Sequence, residues 1–275
     1  MGKPSGPEVT ASMAPVQRLH HSNMAELISS ALREKILAGE LVDGDLLPKQ
    51  EELATQFGTS SLSVREGLRI LEGEGLVTVR RGRHGGSVVH APGGGSVAYM
   101  LGLVFQARKV RLREVASTLN DLEPICAGLC AERKDRRRTV LPRLRSVQAE
   151  ASKSRSVLEG ARLGRQFHEE LVKGCGRETM VVLIGVLESI WTAHTEQSVE
   201  RGSLARVPPS RSYLSGRHDD HEELIALIHD GDAEGAIQRA RNHLESSALY
   251  QIDGKEAKRL IEADLLARYT SVPAG

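Results

Sequence analysis

Three histidines carry the most specific chemistry in the chain. His168 shares a helical face with Ala161, Leu171 and Val172. His221 opens the face that bears Leu224, Ile225 and Ile228, and His243 stands beside Ile237, Ala240 and Leu244. Apolar residues recurring at three- and four-residue intervals mark the buried stripe of an amphipathic helix. Each imidazole is therefore expected at a core-facing position of a different helix, and three such helices packed together can bring the rings to one point. Imidazole nitrogen is a good ligand for Zn²⁺ and Ni²⁺. Three protein ligands would leave open positions on the ion, where an anionic small molecule could coordinate. Taken singly, each histidine is more often a hydrogen-bonded core residue than a ligand.

A second group of residues carries nucleic-acid chemistry. Ser60, Ser61 and Ser63 stand at the start of a short helical period, and Arg65 follows one residue beyond the apolar Val64. Serine hydroxyls there can cap the helix or bond to phosphate. A guanidinium on such a helix can read guanine with two hydrogen bonds or clamp a phosphate. Further on, Arg80-Arg81-Gly82-Arg83-His84-Gly85-Gly86 is a basic, glycine-rich turn with no acid between Gly75 and Val89. Arg81 and Arg83 could enter a minor groove or bind phosphate, and Gly82 would let the backbone come close.

These residues need elements to hold them. Helix formers dominate the 275 residues and aromatics make up only 3%, which predicts a mainly α chain. Hydrophobic residues at 40% and charged residues at 27% are ordinary for a globular protein and exclude wholesale disorder or a collagen-like fibre. The 37 basic and 36 acidic side chains nearly cancel, so only the distribution of charge can speak for nucleic acid. Cys126, Cys130 and Cys175 show no Cys-x-x-Cys spacing and are expected as reduced core thiols of a cytoplasmic protein. No apolar run approaches a membrane span, and the first residues hold no apolar signal core.

The run Ala91-Pro92-Gly93-Gly94-Gly95-Ser96 divides the chain. Residues 1–21 are expected as a disordered tail, 22–91 as a DNA-binding domain, and 92–107 as a linker. Residues 108–252 should form a helical domain and 253–275 a C-terminal tail helix. In the first domain the periodicity predicts helices from Ser22 or Asn23 to Ala38, Lys49 to Phe57 and Ser61 to Glu72. A hairpin should follow, with strands Leu76–Val79 and Ser87–Val89. Three short helices and a hairpin make a winged helix-turn-helix, whose third helix is presented as a rod that fits the DNA major groove. In the second domain, helices are expected over about 110–134, 138–152, 156–173, 178–200, 217–230 and 232–250, with a loop over 201–216. Their apolar stripes demand an antiparallel all-α bundle.

At this point the residues resemble a known family. Ile36 to Gly39, Leu47-Pro48, Glu52-Leu53-Ala54, Gly58-Thr59-Ser60 and Val64-Arg65-Glu66-Gly67-Leu68 are similar in order to the DNA-binding domain of GntR-type bacterial transcription regulators. Leu71-Glu72-Gly73-Glu74-Gly75-Leu76-Val77 and the Gly82 wing complete the pattern. The helical part resembles the FCD subfamily, named for the FadR-type C-terminal domain. The resemblance implies a homodimer that binds a double-stranded DNA operator under control of a small-molecule effector. It also implies metal ligation by His168, His221 and His243, with Zn or Ni as the ion. Where the family has an aspartate ligand one turn before the first histidine, this chain has Gly164, a vacancy that His194 or water could fill. Where the family has a carboxylate-gripping arginine on the first bundle helix, this chain has Leu119 beside Asn120. Asn120 and His194 are thus the expected effector-pocket residues. His218 is expected beside the site and His20 and His21 in the tail. Ser61 and Glu51 also stand where arginines are common.

The leading expectation is a ligand-controlled transcription regulator and not an enzyme. One alternative is a three-histidine metalloenzyme, for which no acidic residue is apparent as a general base. Another is a regulator whose pocket is vestigial.

Overall fold

The computed structural model describes residues 17–80, 86–92, 94–154, 157–200, 211–246 and 254–266. They fall into two compact units, one ending at Gly93 and the other beginning at Gly94. The fold is mainly α, as the composition predicts, and the sheet is a single hairpin among the described residues.

The first unit comprises α1 (Gln17–Leu37), α2 (Gln50–Gln56), α3 (Ser61–Gly73), β1 (Val77–Arg80) and β2 (Gly86–Val89). The antiparallel strands pair Val77 with Val89 and Arg80 with Gly86, and Leu46 adds a bridge to Val88. Ile28, Leu32 and Ile36 of α1 pack with Leu53 of α2 and with Val64, Leu68 and Leu71 of α3. The α1–α3 contact is close because Gly67 has no side chain. A Cβ there would stand 3.0 Å from the Ala25 carbonyl oxygen and 3.1 Å from Ile28 Cγ2. Gly58, at φ +60°, supplies the left-handed residue that the tight α2–α3 turn requires. Helix α1 begins at Gln17, so residues 17–21, expected in the tail, are helical. Residues 1–16 lie outside the described set.

The second unit is a bundle of α4 (Gly94–Ala107), α5 (Leu112–Glu132), α6 (Arg136–Thr139), α7 (Leu141–Lys153), α8 (Val157–Gly174), α9 (Glu178–Glu200), α10 (Arg211–Asp230) and α11 (Ala233–Ser246). Helix α5 runs through the middle and buries Leu112, Val115, Leu119, Cys126 and Cys130 against its neighbours. Two helices appear where one was expected over 138–152. Pro142 sits in the first turn of α7, where its missing N–H costs nothing. The segment read as a linker is α4. Gly94 and Gly95 occupy only its first turn, and Ala98, Tyr99, Leu101 and Phe105 pack on the bundle core, which gives the segment a reason to be helical.

Among the described residues 254–266, the expected C-terminal helix does not run continuously. A single turn, α12 (Gly254–Ala257), leads into extended chain and a 3₁₀ turn over Ala263–Leu265. Leu112 N–H donates to the Arg259 carbonyl and Ile261 N–H to the Val110 carbonyl. These long-range bonds take the backbone groups that a helix would have used. Ile261 and Leu266 are fully buried, and a side chain at Gly102 of α4 would collide with Leu266 Cδ1.

Candidate DNA-facing helix and metal centre

The N-terminus of α3 is built by its serines. Ser60 is the N-cap, and its Oγ accepts from Ser63 N–H at 3.2 Å. The Ser63 hydroxyl lies 3.1 Å from Ser60 Oγ, and Ser63 is only 2% exposed. The structure therefore keeps Ser63 inside the unit instead of placing it beside Ser61 and Arg65 on the surface, because its hydroxyl belongs to the cap. Ser61, Leu62, Arg65 and Arg69 are exposed. Glu66 turns to Arg69, at 2.9 Å, and away from Arg65. Arg81, Gly82 and Arg83 of the wing lie outside the described residues.

In the second unit, His168, His221 and His243 come together as their stripes predict. They arrive on α8, α10 and α11 and are all buried. Two elements of local structure set the α10–α11 hairpin. Gly231 takes φ +81° in the turn, and Asp232 Oδ1 accepts from Gly235 N–H at 2.9 Å at the start of α11. The Nε2 atoms of His221 and His243 are 3.2 Å apart, and those of His243 and His168 are 3.3 Å apart. Phe167, next in sequence to His168, stacks on the His221 ring with centroids 3.9 Å apart.

The outward nitrogens are each engaged. His243 Nδ1 meets Asp220 Oδ2 at 2.9 Å, and His221 Nδ1 lies 3.3 Å from Gln148 Oε1. His168 Nδ1 is hydrogen-bonded to Glu123 Oε1. A carboxylate can only accept, so a neutral imidazole facing one carries its proton on Nδ1. The Nε2 lone pairs of His168 and His243 are then directed inward. Asp220 is held in turn by an ion pair with Arg239, whose Nε also reaches Glu223 at 3.0 Å.

This donor set fits a divalent metal ion. Three imidazole nitrogens converge in the interior, and lone pairs at that separation repel unless a cation or a proton lies between them. Their outward nitrogens rest on carboxylate and amide oxygens, the arrangement that orients metal-bound histidines. Glu123 is 1% exposed, and its second oxygen, Oε2, has no hydrogen-bond partner among the described residues. A carboxylate buried in that way is costly without nearby positive charge. Neither Glu123 nor Asp220 was expected from the sequence. The readable signal for Glu123 is an acidic residue set in line with Leu119 and Cys126 on the apolar stripe of α5.

The remaining expected residues do not join the triad. His194 is fully buried, but its Nδ1 donates to the Ile190 carbonyl at 2.8 Å and its Nε2 accepts from Glu262 N–H at 2.9 Å. Burial foremost pushes its pKa down, with the Arg259 guanidinium acting the same way. It is a neutral clamp between α9 and the C-terminal segment, with no ring nitrogen left for a metal or effector, and this corrects the pocket role expected for it. Asn120 stands one turn before Glu123 on α5, and its Oδ1 is buried without a partner among the described residues. Leu119 is 1% exposed and presents only apolar surface. Gly164 is buried and brings no ligand. The side chains of His20, His21 and His218 lie outside the described set. The three cysteines are free and buried. Burial pushes the Cys130 thiol up to about 12 and the Cys126 thiol up as well, so both stay protonated.

Comparison with known proteins agrees with this architecture. Residues 24–86 match the model of bacterial regulatory proteins of the gntR family, and residues 114–246 match the FCD domain. An uncharacterised HTH-type transcriptional regulator of Mycobacterium tuberculosis, Rv0494, is 32% identical over 122 residues, covering 38% of this chain and 50% of that protein. This chain thus spans about half the length of that relative. The HTH-type transcriptional regulator Mce2R, also of Mycobacterium tuberculosis, is 25% identical over 250 residues, covering 85% of this chain and 92% of that protein. Among solved structures, Streptococcus agalactiae GntR aligns with a TM-score of 0.57 at 21% identity, covering 81% of this chain and 97% of that one, which is a likeness of fold. No helix among the described residues is long and apolar enough to cross a membrane. A winged helix-turn-helix, followed in sequence by a helical unit, and both family matches lead to one assignment: the chain belongs to the bacterial regulatory proteins of the gntR family and carries an FCD domain.

Proposed function

We propose that this regulator acts in the cytoplasm as a homodimer, docking two α3 helices into two half-sites of a near-palindromic operator. Arg65 serves as the base- or phosphate-contacting residue, Ser61 and the Ser60 hydroxyl flank it, and Arg81, Gly82 and Arg83 grip the adjacent strand. The support is the outward stripe of α3, where Arg65 is exposed and Glu66 is committed to Arg69. Selection from a random duplex pool should enrich one operator. Arg65→Ala should then weaken binding to it by about tenfold or more in a gel-shift titration, the cost of one lost bidentate contact. Equal affinity in the variant would remove the assigned role.

The sensing half of the proposal is one divalent ion, zinc or nickel, held by His168, His221 and His243. The observation that carries it is the convergence of three buried Nε2 atoms whose rings rest outward on oxygen acceptors. When bound, the ion supplies a Lewis-acidic centre with positions open to an effector. The chain's own residues do the rest. Glu123, Asp220 and Gln148 fix the ring orientations, and Phe167 holds the His221 plane. On the α5 side, Leu119 offers no charge for a carboxylate, whereas Asn120 Oδ1 and Glu123 Oε2 are buried acceptors without a hydrogen-bond partner among the described residues. That wall favours an effector that donates hydrogen bonds. Such an effector controls DNA binding only to the extent that it binds one arrangement of the dimer more tightly than another. The regulatory family of the chain argues against the metalloenzyme alternative.

A further inference from the structure

Leu62 is an anomaly on α3. It sits in the first turn, is 45% exposed and takes no part in the apolar core of its unit. Its neighbours along the outward stripe are Ser61, Arg65 and Arg69, all exposed. The inward stripe is complete without it, since Val64, Leu68 and Leu71 are each at most 1% exposed. Neither the cap nor the fold therefore needs a leucine here. A polar residue would be the ordinary choice for the exposed first turn of a helix.

The first turn of a recognition helix is the part that comes nearest to base edges in the major groove. Among the groups displayed there, one is apolar: the C5-methyl of thymine. A leucine isobutyl group carries no donor or acceptor and cannot contact a phosphate or an amide edge productively. It can desolvate a methyl group. Three residues separate Leu62 from Arg65, a rise of about 4.5 Å along the helix. Successive base pairs are about 3.4 Å apart, so the two side chains address neighbouring pairs.

We infer that Leu62 is a specificity-determining residue that reads a thymine methyl within one or two base pairs of the base contacted by Arg65. This rests on the reading of α3 as the recognition helix and goes beyond it, because it states which base the leucine selects and by which atom. The contact buries about one methyl group and is worth about fourfold in affinity per half-site.

The test uses the full chain. Its operator is selected from a random duplex pool, and each thymine is replaced in turn by deoxyuridine, which keeps every Watson–Crick group and removes only the methyl. The expected result is one position per half-site where the replacement weakens binding about fourfold. In Leu62→Ala, which the exposed site should accommodate without loss of folding, both protomers lose the contact, so the thymine operator should bind about as weakly as the wild type binds an operator with uridine at that position in both half-sites. Uridine should then cost nothing further. If an operator is selected but no uridine position matters, or if the same position matters equally in Leu62→Ala, the inference is wrong while the DNA-binding reading stands. If no operator is enriched at all, the reading of α3 falls and the inference falls with it.

Discussion

Glu123 of α5 lies against the outer edge of His168 of α8, its Oε1 bonded to Nδ1 while His168 Nε2 faces His243 Nε2 at 3.3 Å. A buried carboxylate thus sits on one side of the ring and the candidate metal position on the other. The pair fixes the His168 tautomer and places negative charge behind the ring. Glu123→Gln keeps an oxygen for the hydrogen bond but removes the charge. Its zinc affinity, measured by chelator competition, should fall by about 10–100-fold. His168→Ala should carry no zinc, and chelation should lower the melting temperature of the wild type but not of this variant. Wild-type protein without stoichiometric metal would defeat the metal reading. Unchanged zinc affinity in Glu123→Gln would defeat only the role given to Glu123.

Much of this site was legible beforehand. The histidines stand on helical stripes, and a stripe fixes which way a side chain points. Helix α9 has the same limits, Glu178–Glu200, in the sequence reading and in the structure. What was not legible depends on partners distant in sequence. Glu123 looks like one charged residue among many until α8 is packed against α5. His194 reads as a pocket residue because its own stripe faces inward. Only the return of the chain at Glu262, 68 residues later, consumes its second nitrogen. Glycines at the start of α4 suggested a linker, since local turn chemistry carries no information about the core waiting for Tyr99 and Phe105.

If the proposed effector lies against α5, its chemistry follows from Leu119, Asn120 and Glu123. With Leu119 apolar and with Asn120 Oδ1 and Glu123 Oε2 unpartnered among the described residues, a ligand that donates hydrogen bonds satisfies two buried acceptors, and a carboxylate faces another carboxylate. Compounds sharing one carbon skeleton separate the cases. Against zinc-loaded protein, 1,4-diaminobutane or 1,4-butanediol should raise the melting temperature more than succinate does. The preference should narrow in Glu123→Gln. A larger shift with succinate would show that the ion alone, and not α5, selects the ligand.

His194 predicts a pH dependence in stability. Burial holds its folded-state pKa below the ordinary 6.5, while Ile190 and Glu262 raise it only partly against burial and Arg259. The unfolded chain therefore takes up this proton more readily than the folded one. The stabilisation is present in full above about pH 6.5 and is lost as pH falls toward the depressed folded value. Protonation would also set an N–H at Nε2 against the Glu262 N–H and so release the C-terminal segment from α9. His194→Gln removes this titration and no other. Thermal melts of both proteins at several points between about pH 7.5 and 5.5 should show the wild type's advantage shrinking by about 2–4 °C, the change expected for ~1 kcal/mol in a chain of this size. A wild-type advantage that stayed constant across that range would mean that His194 is protonated equally in both states and that its clamp does not depend on neutrality.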